Sequence, residues 1–499
     1  MSTWYATTRG RQALWHTVVA FAVTFVAFWR IGAPDAAGDE RTYLKCGYNY
    51  VAGRVARCNF EHPPLAKEIL GVGLHLFGDT LTVGRVTTSL VGVGTAVFLY
   101  LLVRDVCDWR WGLVAAALWG VSPQAGVENG VATHALRISR FALLDPYVCF
   151  FFAVALWAGW RYRQRGGTWW PVLTGVACAG AALSKEIGLV LAPSIIGLAV
   201  AHRWRLDGAA RALRSLGGVL VGGAGITVLT YAPFGWGHAL NEVHYLLNFQ
   251  LHHVGGGSPG ILAGHYYVTV PWWANLWYAV TGMGWFFSAL VALGLLGALM
   301  RREVVGFFLI IPSVVVYVVI AQSHLAFPFY WIDFEPGLVA AAAIGLARAW
   351  DHRPTRVASS AAIAILAGVA GVTLLGGVAT AGEGPYQRAA RVMACDRGCT
   401  VYYVGFKGIF DNYVSGEDKV ARPGGPGVIF ATAGSPLVVP DRAGSPTKEP
   451  TYVLIDPASP LAYQYATSVH SFEVLAASLG YRPVTSDSRL LIWRRVTSK

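Results

Sequence analysis

"QALWHTVVAFAVTFVAFW" (residues 12–29) is an uncharged apolar run, and a little further on "GDERTYLKCGYNY" (residues 38–50) sets two adjacent carboxylates, Asp39 and Glu40. A run of that length approaches the ~20 residues that cross ~30 Å of hydrocarbon as a helix. It reads as a first membrane span with an acidic pair at its mouth. Arg9 and Arg11 precede it, as in a signal peptide. No small-residue cleavage site follows and the run is longer than a typical h-region, so an uncleaved first helix is expected.

Further charge-poor runs lie at 86–103, 111–127, 141–160, 166–184, 215–241, 276–300, 304–332 and 357–382, with shorter ones at 187–201 and 336–347. The expectation is an α-helical polytopic membrane protein with about 11 transmembrane helices. Composition agrees. Of 499 residues, 55% are hydrophobic and 13% charged, and the mean hydropathy is +0.48, whereas soluble domains average about 25% charge.

The net charge of +12 would suggest nucleic acid in a soluble chain. Here its placement decides otherwise. Arg9/Arg11, Arg104/Arg110, Arg161/Arg163/Arg165, Arg203/Arg205/Arg211/Arg214, Arg301/Arg302 and Arg348/Arg353/Arg356 fall in every second connection. By the positive-inside rule these connections are cytoplasmic, and no nucleic-acid partner is expected. The alternate loops, 32–80, 128–140, 184–186, 234–275 and 322–335, then face outward in a plasma-membrane protein, as does the tail.

Residues 1–381 form the expected membrane domain, with outer loops at 32–80 and 234–275. After "GGVATAGEGP" the composition changes. Short β-like runs at 400–406, 427–433, 451–456 and 490–495 and an amphipathic helix near 471–480 predict a small extracytoplasmic α/β domain over 385–499. Cys46/Cys58 and Cys395/Cys399 fall in outward-facing segments, where two local disulfides are expected; free thiols or a metal clip at 395–399 are the alternatives. Cys107, Cys149 and Cys178 read as small apolar residues. No Walker motif or nucleotide-binding glycine fingerprint is present, so an already activated substrate must supply the energy.

The residues that are costly near a membrane gather on the outward side: Asp39, Glu40, "FEHPPLAKE" (60–68), "RISRFALLDP" (137–146), "SKE" (184–186) and "YWIDFEP" (330–336). Such groups are functional hypotheses by default. Each also has a structural reading. Asp39 and Glu40 suit a helix N-terminus; Pro63 and Pro64 suit the first turn of a re-entrant helix; Arg140 can pair with Asp145, and Lys185 with Glu186. In loop 234–275, Trp236, Trp272 and Trp273 suit an interfacial aromatic belt, or a lid that stacks on sugar.

"GDERTYL…NFEHPPLAKEILGVGLHLFG", "RISRFALLDPYVCFFFAVAL" and "AALSKEIGLVL" resemble, in order and spacing over about 30–200, the motifs of the protein O-mannosyltransferase family and its prokaryotic relatives. These are polyprenyl (dolichyl) phosphate sugar-dependent GT-C glycosyltransferases. The resemblance implies an inverting enzyme that moves a sugar, foremost mannose, to an acceptor hydroxyl of a protein, lipid or glycan outside the membrane. Asp39 is then the expected general base, with Glu40 orienting the acceptor or organising the loop.

A leaving lipid phosphate needs cations where charge builds up. Arg140 and Lys185 rank first, followed by Arg137 and Lys67. Asp145, Glu61, His62, Asp333 and Glu335 are expected to orient substrate or hold an arginine. The related lipid A aminoarabinose transferases share the Glu-basic-Pro-Pro pattern, in which the Glu can bind a divalent metal. No cofactor is certain, but a metal on Glu61 with His244, His252, His253 or His265 is left open, the alternative being histidines that line a groove or are solvated. An aminoarabinose or arabinose transferase is therefore the enzymatic alternative. A lipid-linked sugar transporter or flippase is the non-enzymatic one; it predicts charges at both faces or at mid-depth, and often inverted repeats.

Overall fold

The computed structural model describes residues 2–380 apart from 35, 37–38, 56–57, 125–126, 129–130, 133–136, 258–259 and 264; beyond 380 it describes 388–389, 392, 401–404, 420–421, 452–455, 469–478, 480–487 and 490–496. The first part is almost wholly helical. Its helices are α1 (Ser2–Phe28), α2 (Glu40–Val51), α3 (Leu65–Phe77), α4 (Leu81–Val106), α5 (Trp109–Val121), α6 (Asp145–Arg165), α7 (Trp169–Ser184), α8 (Leu191–Asp207), α9 (Ala209–Tyr231), α10 (Trp236–Gly256), α11 (Ala274–Met283), α12 (Trp285–Met300), α13 (Val304–Gln322), α14 (Glu335–Asp351) and α15 (Arg356–Thr380).

Among the described residues, five helical stretches are long and apolar enough to cross a membrane: 10–28, 81–106, 186–207, 209–234 and 304–322. The expected run 276–300 is not one straight span. Gly284, at φ 77°, breaks it into α11 and α12, which meet at a bend of 111°; glycine tolerates this positive φ without the Cβ penalty. The run 215–241 likewise stops at Tyr231, and the run 304–332 at Gln322. Hydropathy overran these ends because the outward loops are themselves rich in aromatic and aliphatic residues. The eleven crossings expected from hydropathy are therefore not resolved as eleven long helices.

The α14 segment, with four consecutive alanines, is buried along most of its length at the centre of the bundle. Trp119, Trp331, Tyr147 and Phe152 fill the space around it. On the expected outer side, α2 and α3 cross almost backbone to backbone: a Cβ at Gly47 would come within 2.1 Å of the Lys67 carbonyl oxygen. This close approach brings the loop before α2 to the loop before α3, the two segments that hold the expected site residues. Cys46 and Cys58 are disulfide-bonded, with Cα atoms 5.2 Å apart, and so tie α2 covalently to the loop before α3.

Between the helices lie two short antiparallel pairs, β1 (Val127–Glu128) with β2 (Val131–Ala132) and β3 (Gly260–Leu262) with β4 (His265–Tyr267). Beyond residue 380 the described residues include a five-stranded sheet made from β5 (Val401–Val404), β6 (Val420–Ala421), β7 (Tyr452–Ile455), β8 (Tyr481–Asp487) and β9 (Leu490–Arg495), in the order β6-β5-β7-β9-β8. β5 runs parallel to β6 and β7, and β9 is antiparallel to β7 and β8. A helix, α16 (Val469–Ser478), precedes β8. The expected strand at 427–433 and the Cys395/Cys399 pair lie outside the described residues.

Candidate active site

The acidic pair that begins α2 divides into two different residues. Glu40 is completely buried, and Arg85 at the start of α4 grips it with two hydrogen bonds, Nε to Oε1 at 2.9 Å and Nη2 to Oε2 at 2.8 Å. The Ala142 N–H also donates to Oε1, at 2.7 Å. The remaining Arg85 nitrogen donates to the Ile31 and Pro34 carbonyls, and its guanidinium lies over the Phe141 ring. Glu40 is thus a strut joining the loop after α1, the start of α4 and the segment before α6. Grouped with Asp39 among the expected catalytic residues, Glu40 here organises the loop, and a carboxylate so occupied is not available as a base.

Asp39, one residue earlier, is exposed. It occupies the N-cap position of α2, but its side chain makes no capping hydrogen bond; the Tyr43 hydroxyl donates to Oδ2 instead, at 3.4 Å. The surrounding protein atoms push the Asp39 carboxyl above the ordinary carboxylate range, the charge of nearby His62 pulls it back, and that of Glu61 pushes it up again. Asp39 keeps an open face, so this shift is modest in energetic terms. A carboxylate shifted in this direction is a stronger base, closer to neutral pH.

His62 stands beside Tyr43 and bonds through Nδ1 to Glu186 Oε2 at 2.8 Å. Lys185, the neighbour of Glu186, turns the other way. Its Nζ lies 2.5 Å from Asp145 Oδ1, 3.6 Å from Asp333 Oδ2 and 3.8 Å from the centre of the Tyr330 ring. Burial and the adjacent Asp145 raise Asp333 well above the ordinary carboxylate range. That direction favours the neutral acid and so lessens the charge that the buried trio must hold. The alternative pairings, Arg140 with Asp145 and Lys185 with Glu186, are not formed.

Two further expected phosphate cations are also engaged internally. Lys67 is fully buried and donates to the carbonyls of Asn59 and His62, both at 2.6 Å, and to the Tyr50 hydroxyl at 3.4 Å; it shapes the Glu61–His62 loop. Burial lowers its ammonium to about 8. Arg137 donates to Ser139, to the Ser122 carbonyl and to Gln124, and Gln124 donates to Glu335 at 3.0 Å. Lys67, Lys185 and Arg137, all expected to bind the donor phosphate, thus each hold internal partners. Arg140 differs. It donates to the Trp29 carbonyl, and its buried Nε has no partner. Burial, and then the like charge of Arg85, lower its guanidinium to about 10, which leaves it charged at neutral pH.

Among the described residues no group of three or more His, Cys, Asp or Glu side chains is placed to hold an ion. Glu61 accepts from Asn59 at 2.8 Å, while His244 and His252 bond to Asn248 within α10. His265 is exposed on β4 (His265–Tyr267), and the side chain of His253 lies outside the described residues.

Sequence reasoning missed Arg85, Gln124 and Glu242. Arg85 had a signal: it is a lone arginine at the outward end of an apolar run, against the charge rule that ordered the other arginines. Gln124 had none. Glu242, in α10, is 1% exposed, and neither of its carboxylate oxygens has a hydrogen-bond partner. Burial raises it to about 7, and burial together with Glu242 raises Glu68 to about 8.

Residues 61–229 match the family model described as dolichyl-phosphate-mannose-protein mannosyltransferase. The undecaprenyl phosphate-alpha-4-amino-4-deoxy-L-arabinose arabinosyl transferase 1 of Pseudomonas fluorescens is 30% identical over 224 residues, 44% of this chain. The matched stretch spans 37% of that relative's length. Among solved structures, ArnT from Cupriavidus metallidurans in the apo state aligns over 98% of both chains at 17% identity with a TM-score of 0.58, and its undecaprenyl phosphate complex aligns equally widely at 0.54. The archaeal oligosaccharyltransferase AglB from Archaeoglobus fulgidus aligns over 92% of this chain and 71% of its own at 13% identity and a TM-score of 0.50. In fold, the chain is similar to these membrane glycosyltransferases along nearly its whole length.

Proposed function

We propose that the protein is an inverting glycosyltransferase that takes a monosaccharide from a polyprenyl phosphate and delivers it to an acceptor hydroxyl on the outer side of the membrane. One observation carries the assignment of the base: of the adjacent carboxylates Asp39 and Glu40, only Asp39 is open. In the reaction, an Asp39 oxygen takes the proton of the acceptor hydroxyl as the hydroxyl oxygen attacks the anomeric carbon. The bond from the anomeric carbon to the phosphate oxygen breaks, and its electron pair leaves with the lipid phosphate. Attack opposite the leaving group inverts the configuration. Arg140, whose Nε has no hydrogen-bond partner, is the cation assigned to the developing phosphate charge.

The pentose reading, transfer of an aminoarabinose or a related arabinose, is favoured by the full-length likeness to ArnT and by the curated relative. Mannose is the second reading, supported by the family model over 61–229. The test is to supply purified protein in turn with the polyprenyl phosphate derivatives of aminoarabinose and of mannose, each with lipid, glycan and peptide acceptors. Release of polyprenyl phosphate from the aminoarabinose donor supports the first reading and release from the mannose donor the second; no release from either overturns the transferase. Arg140→Ala should weaken donor binding more than Arg137→Ala, and the reverse ranking would overturn the choice of cation.

A further inference from the structure

The helix α10 leads from the outer end of α9 back to the candidate site, and its residues divide into three faces. At 3.6 residues per turn, Trp236, Leu240, Val243, Leu247 and Leu251 fall on one stripe roughly 80° wide. All five are exposed, from 37% at Val243 to 75% at Leu251. Ala239, Glu242, Leu246, Phe249 and Gln250 form a second face that is buried or half-buried. Gln250 donates to the Glu61 carbonyl at 2.9 Å, and Tyr245, at the edge of that face, packs edge-on to Phe60. Asn241, His244, Asn248 and His252 form a third face that is polar and exposed. The chain from 236 to 256 contains no Lys, Arg or Asp, and its only Glu is the buried Glu242.

We propose that α10 is an interfacial helix whose apolar stripe rests in the hydrocarbon edge of the outer leaflet, and which thereby sets the height of the Glu61–His62 loop against the membrane. A core-facing side, an apolar side and a polar side arranged around one helix are what a helix at the interface requires. The occupant of the stripe is lipid because the stripe continues a lipid-facing surface. α9 lies within a stretch apolar enough to cross a membrane, and it exposes Leu216, Leu220, Val228 and Leu229; its end at Tyr231 is separated from Trp236 only by a single short turn. Trp236 opens the helix at the depth where tryptophan collects. The contacts of Gln250 and Tyr245 then tie the catalytic loop to lipid level, where a membrane-borne phosphate would arrive.

The test reads lipid contact and not turnover, so its failure is separable from that of the transferase reading. The full chain, reconstituted in vesicles of phosphatidylethanolamine and phosphatidylglycerol, takes a photoreactive benzoylphenylalanine in place of Leu240, Leu247 or Leu251, or in place of Asn241, His244 or Asn248. After illumination, mass spectrometry should find lipid adducts at least severalfold more abundant at the three leucine positions. Equal yields on the two faces, or adducts on neither, overturn the proposal. A dominant crosslink between two chains through the stripe also overturns it, in favour of a second copy as the occupant. As an independent reading, L247D/L251D should speed amide exchange along α10 more than H244D/N248D does in the same vesicles, and equal effects overturn the proposal.

Discussion

Two ion pairs at the arginine-rich end of this bundle and two at the other treat charge differently, although Arg161 with Asp105, also at the arginine-rich end, is nearly closed at 9% with 9%. At the arginine-rich end, the ion pair of Arg348 with Glu303 keeps about a third of each side chain open, 32% and 33%, and Arg211 reaches Asp207 from an exposed position. At the other end, Arg85 with Glu40 and Lys185 with Asp145 are buried, at 1% with 0% and 5% with 3%. The first kind of pair loses little hydration and gains little. The second kind requires desolvated charges, which persist only when every charged oxygen and nitrogen is answered by a partner. Beside those closed pairs Asp39 is an open carboxylate, while Glu186, paired with His62, stays 30% exposed. A base must be reachable, whereas the residues that shape the ground around it must not be.

Four expected outcomes sharpen or break this contrast. Asp39→Asn should lower turnover by about 10²–10⁴-fold while leaving the thermal midpoint unchanged; retained turnover in a donor-release assay would remove Asp39 from its role. Arg85→Ala should cost about 3–5 kcal/mol, because it leaves Glu40 buried and unanswered, with a matching fall in the unfolding midpoint in detergent. A midpoint equal to that of the parent would show that the buried end is no more demanding than the open one.

The third outcome concerns pH. Asp39 acts as a base only when ionised, and its carboxyl is held above the usual range, chiefly by the surrounding protein. Activity should therefore rise with pH through that raised value. The Tyr43 hydroxyl favours the ionised form, so Tyr43→Phe should move the rising limb to higher pH, which a kcat/KM profile would read. A limb that stays in place would separate Tyr43 from the base. The smallest effect is expected from Arg348→Ala, roughly 0–1 kcal/mol by analogy with other open pairs, and easily resolved from that of Arg85→Ala by the same thermal measurement.

Much of the candidate site was legible in the chain because a charge near a membrane is expensive wherever it stands. Asp39, His62, Arg140, Lys185 and Asp333 all sit in segments expected to face outward from the placing of arginines elsewhere. Their partners were not legible. Asp145 was as near in sequence to Arg140 as pairing requires, and yet it binds Lys185, 40 positions away. Glu186 was adjacent to Lys185 and instead holds His62, 124 positions away. Cations in an apolar interior take whichever carboxylate the crossing helices deliver to them, and crossing geometry leaves no mark on hydropathy. Helix ends were misread for a related reason: 276–300 is apolar throughout, and its break depends on the positive φ of Gly284, one glycine among 58.

Composition and the alternation of arginines determined by themselves that this chain lives in a membrane and where its costly residues gather, because transfer of charge out of water is a large term that acts residue by residue. The tertiary structure decided which of two neighbouring carboxylates is a strut and which is open. Rotation of about 100° per residue at the start of α2 turns Glu40 toward Arg85 in the interior and leaves Asp39 facing outward. That difference lies in the direction of a side chain, which only the packing of α2 against α3 and α4 sets.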